Sequence, residues 1–213
     1  RIPPNGGEMN QWIAKQVLDL GIYGIVFPHI STVDEAWNAV RACRYPRMPE
    51  VSNYNPPGIR GDAPTRAARY WGLTSQEYYA RADVWPLAPQ GEVLVIIQCE
   101  DLLAIDNLPS ILKEVPGIGV VLIGEGDLSQ EMGHPREYDH SDVASASIGI
   151  SPAAIPAMSD SVHLTSPISR PSLVFPSSRA FGPPGWRLSS GSSTNGSGSR
   201  SISIRLIASD ATC

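Results

Sequence analysis

The residues of this sequence most able to do chemistry sit just past two runs of buried-strand character. Gln98 and Glu100 close the run VLVIIQCED, two positions apart and therefore on the same side of a strand. Asp127 follows the apolar VVLI within VVLIGEGDLS. An acid just beyond such a strand costs free energy unless a proton or a cation compensates it. Neighbouring parallel strands run about 4.8 Å apart, so Glu100 and Asp127 can converge on one ion. Two carboxylates with open positions suit a hard divalent cation such as Mg²⁺ or Mn²⁺. Gly124 and Gly126 flank the loop and let backbone N–H groups approach a bound carboxylate. The plain alternative is two solvated acids at loop starts, and spacing alone leaves both readings open.

The elements that must position these residues alternate between helix and strand over the first two-thirds of the chain. MNQWIAKQVLDLG puts Ile13, Val17 and Leu20 at helical spacing, with Gly21 as the stop. YGIVFPHI is a short strand. In STVDEAWNAVRACRYP, Thr32 stands three residues before Glu35, a capping box, and Val33, Ala36 and Val40 recur on one face. GEVLVIIQCE reads as a fully buried strand. NLPSILKEVPG follows as a helix with Pro109 in its first turn and Pro116-Gly117 as its stop. This alternation predicts a parallel sheet built from crossover units. Between Tyr45 and Gln90 the pattern weakens into a Pro- and Gly-rich loop, then TRAARYWGLTSQEYYARADV with room for one or two helices. From Val143 the composition turns to Ser, Pro, Ala and Gly, with a low-complexity SSGSSTNGSGSRS. Residues 143–213 are expected to be either a disordered tail or the product of a shifted reading frame, and no domain is assigned to them.

Bulk properties exclude some function classes. A net charge of −5 lacks the basic face a nucleic-acid partner needs. Cys43, Cys99 and Cys213 are far apart and odd in number, which suggests a reducing compartment. No apolar run approaches the roughly 20 residues that cross a bilayer. A cytoplasmic protein acting on small molecules is the expectation.

A set of segments in consistent order resembles the HpcH/HpaI aldolase/citrate lyase family of metal-dependent pyruvate aldolases. They are RIP, KQVLDLG, GIVFPHISTVDEA, RYP, GIRG, QCEDLLAIDNLPSIL and LIGEGDLSQEMGHP, all within residues 1–142. The resemblance implies a (β/α)₈ TIM barrel, truncated at the N-terminus and irregular after residue 142. It implies cleavage of a 2-keto-4-hydroxy acid into pyruvate and an aldehyde through an enolate, within a homo-oligomer. Glu100 and Asp127 would ligate Mg²⁺, Mn²⁺ or Co²⁺. Gln98 and the backbone N–H groups of Gly126 and Asp127 would bind substrate. Arg1 would stabilise the enolate oxygen, and Asp19 would raise the basicity of a catalytic histidine across a subunit boundary.

The sequence also departs from the family pattern. The catalytic histidine of the family lies upstream of the Arg1 position, and the last two βα units are not recognisable after Asp142. Glu125 stands where the family commonly has proline, placing a third acid near the metal. His29 is assigned a local structural role, His134 and His140 are read as surface residues, and Arg60 as a subunit-interface residue. Two other functions stay open. One is a citrate lyase β- or malyl-CoA lyase-type enzyme acting on a CoA thioester, and the other is a non-catalytic remnant.

Overall fold

Strand β3 (Val93–Cys99) organises the sheet, and its near-continuous burial reflects the unbroken apolar run VLVIIQC. A computed structural model of the chain describes residues 1–2, 11–149 and 204–206. In it, β1 (Gly24–Phe27) runs parallel to β3 from Gly24 opposite Leu94 to Phe27 opposite Ile97. β4 (Val120–Ile123) pairs in parallel from Val120 opposite Ile96 to Ile123 opposite Cys99. The two-residue β2 (Val84–Trp85) joins the start of β3, also in parallel. β5 (Ile204–Leu206) pairs antiparallel with β4, giving the order β1-β3-β4-β5. The expected parallel alternation therefore describes β1 to β4, while β5 reverses direction. The other residues of the tail, from 150 to 203 and from 207 on, lie outside the described part.

The crossover helices close one face of the sheet. α1 (Gln11–Leu18) buries Ile13, Ala14 and Leu18. Leu20, expected on that face, lies beyond the last turn and is half exposed, because Gly21 at φ 95° turns the chain out of the helix. α2 (Val33–Ala42) carries the predicted capping box in full: Thr32 accepts from the Glu35 N–H, and Glu35 accepts from the Thr32 N–H at 3.0 Å. α5 (Leu102–Glu114) starts earlier than the sequence suggests, since the Asp101 side chain caps it by accepting from the Ala104 N–H at 2.6 Å. Pro109 is consequently inside the helix rather than in its first turn, and the helix forgoes one backbone hydrogen bond there.

The weak-pattern region forms α3 (Thr65–Trp71) and α4 (Ser75–Arg81), packed on a second apolar cluster around Tyr45 and Tyr78. The long loop before α3 is held from within by Arg44. Its guanidinium pairs with Asp83 (Nε–Oδ1 2.6 Å) and donates to the carbonyls of Asn53, Tyr54 and Pro56. Both charged groups are buried and need compensation, and Asp83 also pairs with Arg47 Nε at 3.0 Å. α6 (Glu125–Glu131) and α7 (Ser141–Gly149) complete the described chain, and α7 crosses the residue-142 boundary expected from composition. Among the described residues, no helix is long and apolar enough to cross a membrane.

Candidate metal and substrate site

The carboxyl ends of β1, β3 and β4 meet at one point, because the backbone ladder continues past each strand. Ile30 N–H donates to Gln98 O on one side of β3, and Gly124 N–H to Cys99 O on the other. This brings His29, Glu100 and Asp127 together, each offering a ligand atom within 4.8 Å of the others. His29 Nε2 lies 3.4 Å from Glu100 Oε1 and 3.7 Å from Asp127 Oδ2. The His29 backbone N–H also donates to Glu100 Oε1, at 2.9 Å. His29 holds φ 52°, a left-handed conformation uncommon for a non-glycine residue and more frequent in His than in most. Such strain concentrates where the surroundings over-determine a residue.

Glu100 is 1% exposed and is the centre of the group. Gln98 Nε2 donates to its Oε2 at 2.5 Å, confirming that the two side chains share a side of the strand. Arg1 Nη2 stands 3.7 Å from Oε1, and Ile2, buried, anchors the arginine by donating its N–H to Val26 O at 3.1 Å. Burial pushes the Glu100 carboxyl above the ordinary carboxylate range. The charge and backbone N–H of His29, then the charge of Arg1, oppose that push, while the neighbouring Asp127 carboxyl adds to it.

Gly124 is what allows β4 to come this close. A Cβ there would stand 2.5 Å from Glu100 Cβ, 2.7 Å from Glu100 Oε2 and 2.8 Å from Gln98 Nε2. The chain then enters α6 directly, so Asp127 belongs to the first turn of a helix and not to a loop. The first bond of this turn runs from Leu128 N–H to Gly124 O at 3.2 Å. The N–H groups of Gly126 and Asp127 precede it and have no partner within the helix. Gly126 itself faces open space.

The donor chemistry fits a divalent cation: two carboxylates and one imidazole converge with open positions between them. The Gln98 Oε1 atom beside them is buried without a hydrogen-bond partner, as a group aimed at an added ligand would be. Glu125 lies outside this group, and the third member is His29. The sequence reading gives His29 a local structural role, and nothing in the run FPHI shows the left-handed turn or the Glu100 contact.

Asp19 is elsewhere. It ends the turn that enters β1, whereas His29 follows the end of β1, so the two mark opposite ends of the sheet. Its partners are Lys15 and Arg60, the latter at 3.0 Å. Arg60 is fully buried, stacks 4.4 Å over the Tyr45 ring and donates to Tyr78 Oη at 2.9 Å. Within the chain it is therefore an internal brace. Cys43 and Cys99 are buried as packing residues, and burial pushes each thiol up to about 12.

Comparison with known proteins bears on the family of the chain. The family model described as HpcH/HpaI aldolase/citrate lyase matches residues 1–166. A 4-hydroxy-2-oxovalerate aldolase of Rhodococcus jostii is 40% identical over 134 residues, covering 63% of this chain and 45% of the relative. A 2-keto-3-deoxy-L-rhamnonate aldolase of Klebsiella pneumoniae is 38% identical over 138 residues, covering 64% and 45%. The crystal structure of a HpcH/HpaI aldolase/citrate lyase family protein from Burkholderia cenocepacia superposes with a TM-score of 0.51 at 31% identity, covering 64% of this chain and 48% of that one. The chain spans about half the length of the curated relatives it matches. It belongs to the HpcH/HpaI aldolase/citrate lyase family.

Proposed function

We propose that this chain carries the metal- and pyruvate-binding part of a carbon–carbon lyase site, in a (β/α)₈ barrel that cleaves a 2-keto-4-hydroxy acid into pyruvate and an aldehyde. The observation that carries this reading is the convergence of His29, Glu100 and Asp127 at the carboxyl ends of parallel strands, with the Arg1 guanidinium 3.7 Å from Glu100. Ligands of such barrels sit at that end. Glu100 and Asp127 would hold Mg²⁺, Mn²⁺ or Co²⁺, with His29 lending an imidazole to the same group. A cation bound there supplies Lewis-acid polarisation of the 2-keto oxygen.

The chain's own groups supply the rest. The N–H groups of Gly126 and Asp127 receive the substrate carboxylate, and Gln98 orients the keto acid while fixing Glu100. The Arg1 guanidinium meets the negative charge that develops on the keto oxygen as the C3–C4 bond breaks. The proton of the 4-hydroxyl goes to a base that the family resemblance puts upstream of Arg1. Asp19 would raise that base's affinity for the proton from across a subunit boundary. Leu20, Ile22 and Tyr70, exposed around the Asp19 turn, support contact with a second copy there. The names of the two relatives specify free keto acids, which favours those over CoA thioesters.

Calorimetric titration of Mn²⁺ into the chain, with and without pyruvate, tests the assignment beside a Glu100→Ala/Asp127→Ala variant. The expected result is binding that pyruvate strengthens and the double variant loses. A folded chain that binds no Mn²⁺, or a double variant that binds it undiminished, would overturn the assignment.

A further inference from the structure

We infer that the connection between α6 and α7 holds a second metal site, specific for a borderline transition-metal ion such as Zn²⁺ and built from His134, His140 and Asp142. These three residues form a group of potential ligands separate from that of Glu100, each with a donor atom within 4.8 Å of the others. Asp142 Oδ2 is nearly equidistant from the two imidazoles, 4.0 Å from His134 Nε2 and 3.9 Å from His140 Nδ1. The rings lie face to face, their centroids 3.4 Å apart and their planes 18° from parallel.

Hydrogen bonding accounts for one contact here: the Asp142 N–H donates to His140 Nδ1 at 3.3 Å, a bond that an ion at Nδ1 would replace. The carboxylate stands too far from both nitrogens to accept from either. Both rings are about a third exposed, so burial is not what holds them together. A tetrahedral ion with donors at about 2.0–2.1 Å sets them roughly 3.3 Å from one another. Because an imidazole lone pair lies in the plane of its ring, the stacked rings must also turn until both planes meet at the ion, a movement open to partly exposed side chains. The framework beneath is already in place. His134 N–H donates to Ser129 O at 2.8 Å, Glu137 N–H to His134 O and His140 N–H to Glu137 O, each at 3.0 Å, and Ala144 N–H to His140 O at 2.9 Å. Ser141 Oγ engages Asp142 Oδ1 at 3.2 Å and leaves Oδ2 toward the rings.

The donor set identifies the ion. Two neutral imidazoles and one carboxylate suit zinc and its neighbours and leave a fourth position open, whereas Mg²⁺ and Ca²⁺ prefer all-oxygen sites. Glu137 Oε2 lies 3.8 Å from His134 Nδ1, on the ring edge away from Asp142. Closing to hydrogen-bond distance would make it the outer carboxylate that orients a metal-binding histidine. Bound there, the ion ties the start of α7 to the loop leaving α6, the helix that carries Asp127.

The test titrates Zn²⁺ into the full chain carrying Glu100→Ala and Asp127→Ala, in excess Mg²⁺, so that the first group does not contribute. One Zn²⁺ per chain is expected. Adding His134→Ala or His140→Ala should weaken binding by more than the 10- to 100-fold typical of losing an outer partner. A folded double variant that binds no Zn²⁺, or a triple variant that binds it equally well, overturns the site. Should a histidine variant fail to fold, imidazole ¹⁵N spectra of the unsubstituted chain decide. Zn²⁺-induced shifts at His134 and His140 support the site, and shifts confined to His29 or His163 overturn it.

Discussion

Replacing Gly124 by alanine isolates the close approach on which the Glu100 site depends. The added methyl would meet Glu100 Cβ at 2.5 Å, an atom fixed to the β3 backbone rather than the free end of a flexible side chain. Ordinary carbon–carbon contact begins near 3.5 Å, so β3 and the start of α6 must part by about 1 Å. Overpacking of this kind costs about 1–3 kcal/mol of stability. The same displacement moves Glu100 by several times the ±0.2 Å tolerance of a metal–ligand distance, so Mn²⁺ affinity should fall at least about tenfold, equivalent to about 1.4 kcal/mol. Gly126→Ala is the matched control. Its Cβ meets nothing within 4 Å, and it sits inside α6. Helix propensity there favours alanine by up to about 1 kcal/mol. Urea denaturation and Mn²⁺ calorimetry on both variants give the answer. If Gly124→Ala matches Gly126→Ala in both measurements, the packing argument is wrong.

Other expectations follow from charge and burial. Burial raises the Glu100 carboxyl against the pull of His29 and Arg1, so without metal the folded chain holds that proton more tightly than the unfolded chain does. The stability this contributes is complete below the unfolded pKa of about 4.3 and is lost as pH rises through the higher folded value. Glu100→Gln should therefore gain stability relative to the unsubstituted chain between pH 4 and 7 in a metal-free urea series; a pH-independent difference would refute it. Asp83→Ala leaves the buried Arg44 unpaired and should cost about 3–5 kcal/mol, read from the urea midpoint, with a loss below 1 kcal/mol arguing that water reaches the guanidinium. Cys43 and Cys99, with thiols near 12, should resist a disulfide reagent at pH 8 in a Cys213→Ser chain until denaturant is added. Prompt labelling of either would show that the core opens locally.

What could be read from the sequence was local. Apolar runs marked β3 and β4, Thr32 and Glu35 declared the start of α2, and the period-2 rule put Gln98 and Glu100 on one side of a strand. These follow from side-chain period and capping chemistry, which act over a few residues. The proximity of Glu100 and Asp127 was also legible, because adjacent parallel strands have a fixed spacing. Tertiary structure decided everything that depends on distant chain segments or on backbone angles. Pro109 reads as a first-turn residue because Asp101, which caps the helix earlier, also follows a strand and reads equally well as loop. Arg44 and Asp83, 39 positions apart, form a buried pair that no local pattern announces. His29 reached the site through a single left-handed turn, and His134 and His140 came together through consecutive tight turns after α6. A sequence displays propensities one neighbourhood at a time; which side chains meet is set by the register of strands and the direction of turns, and those are properties of the folded chain.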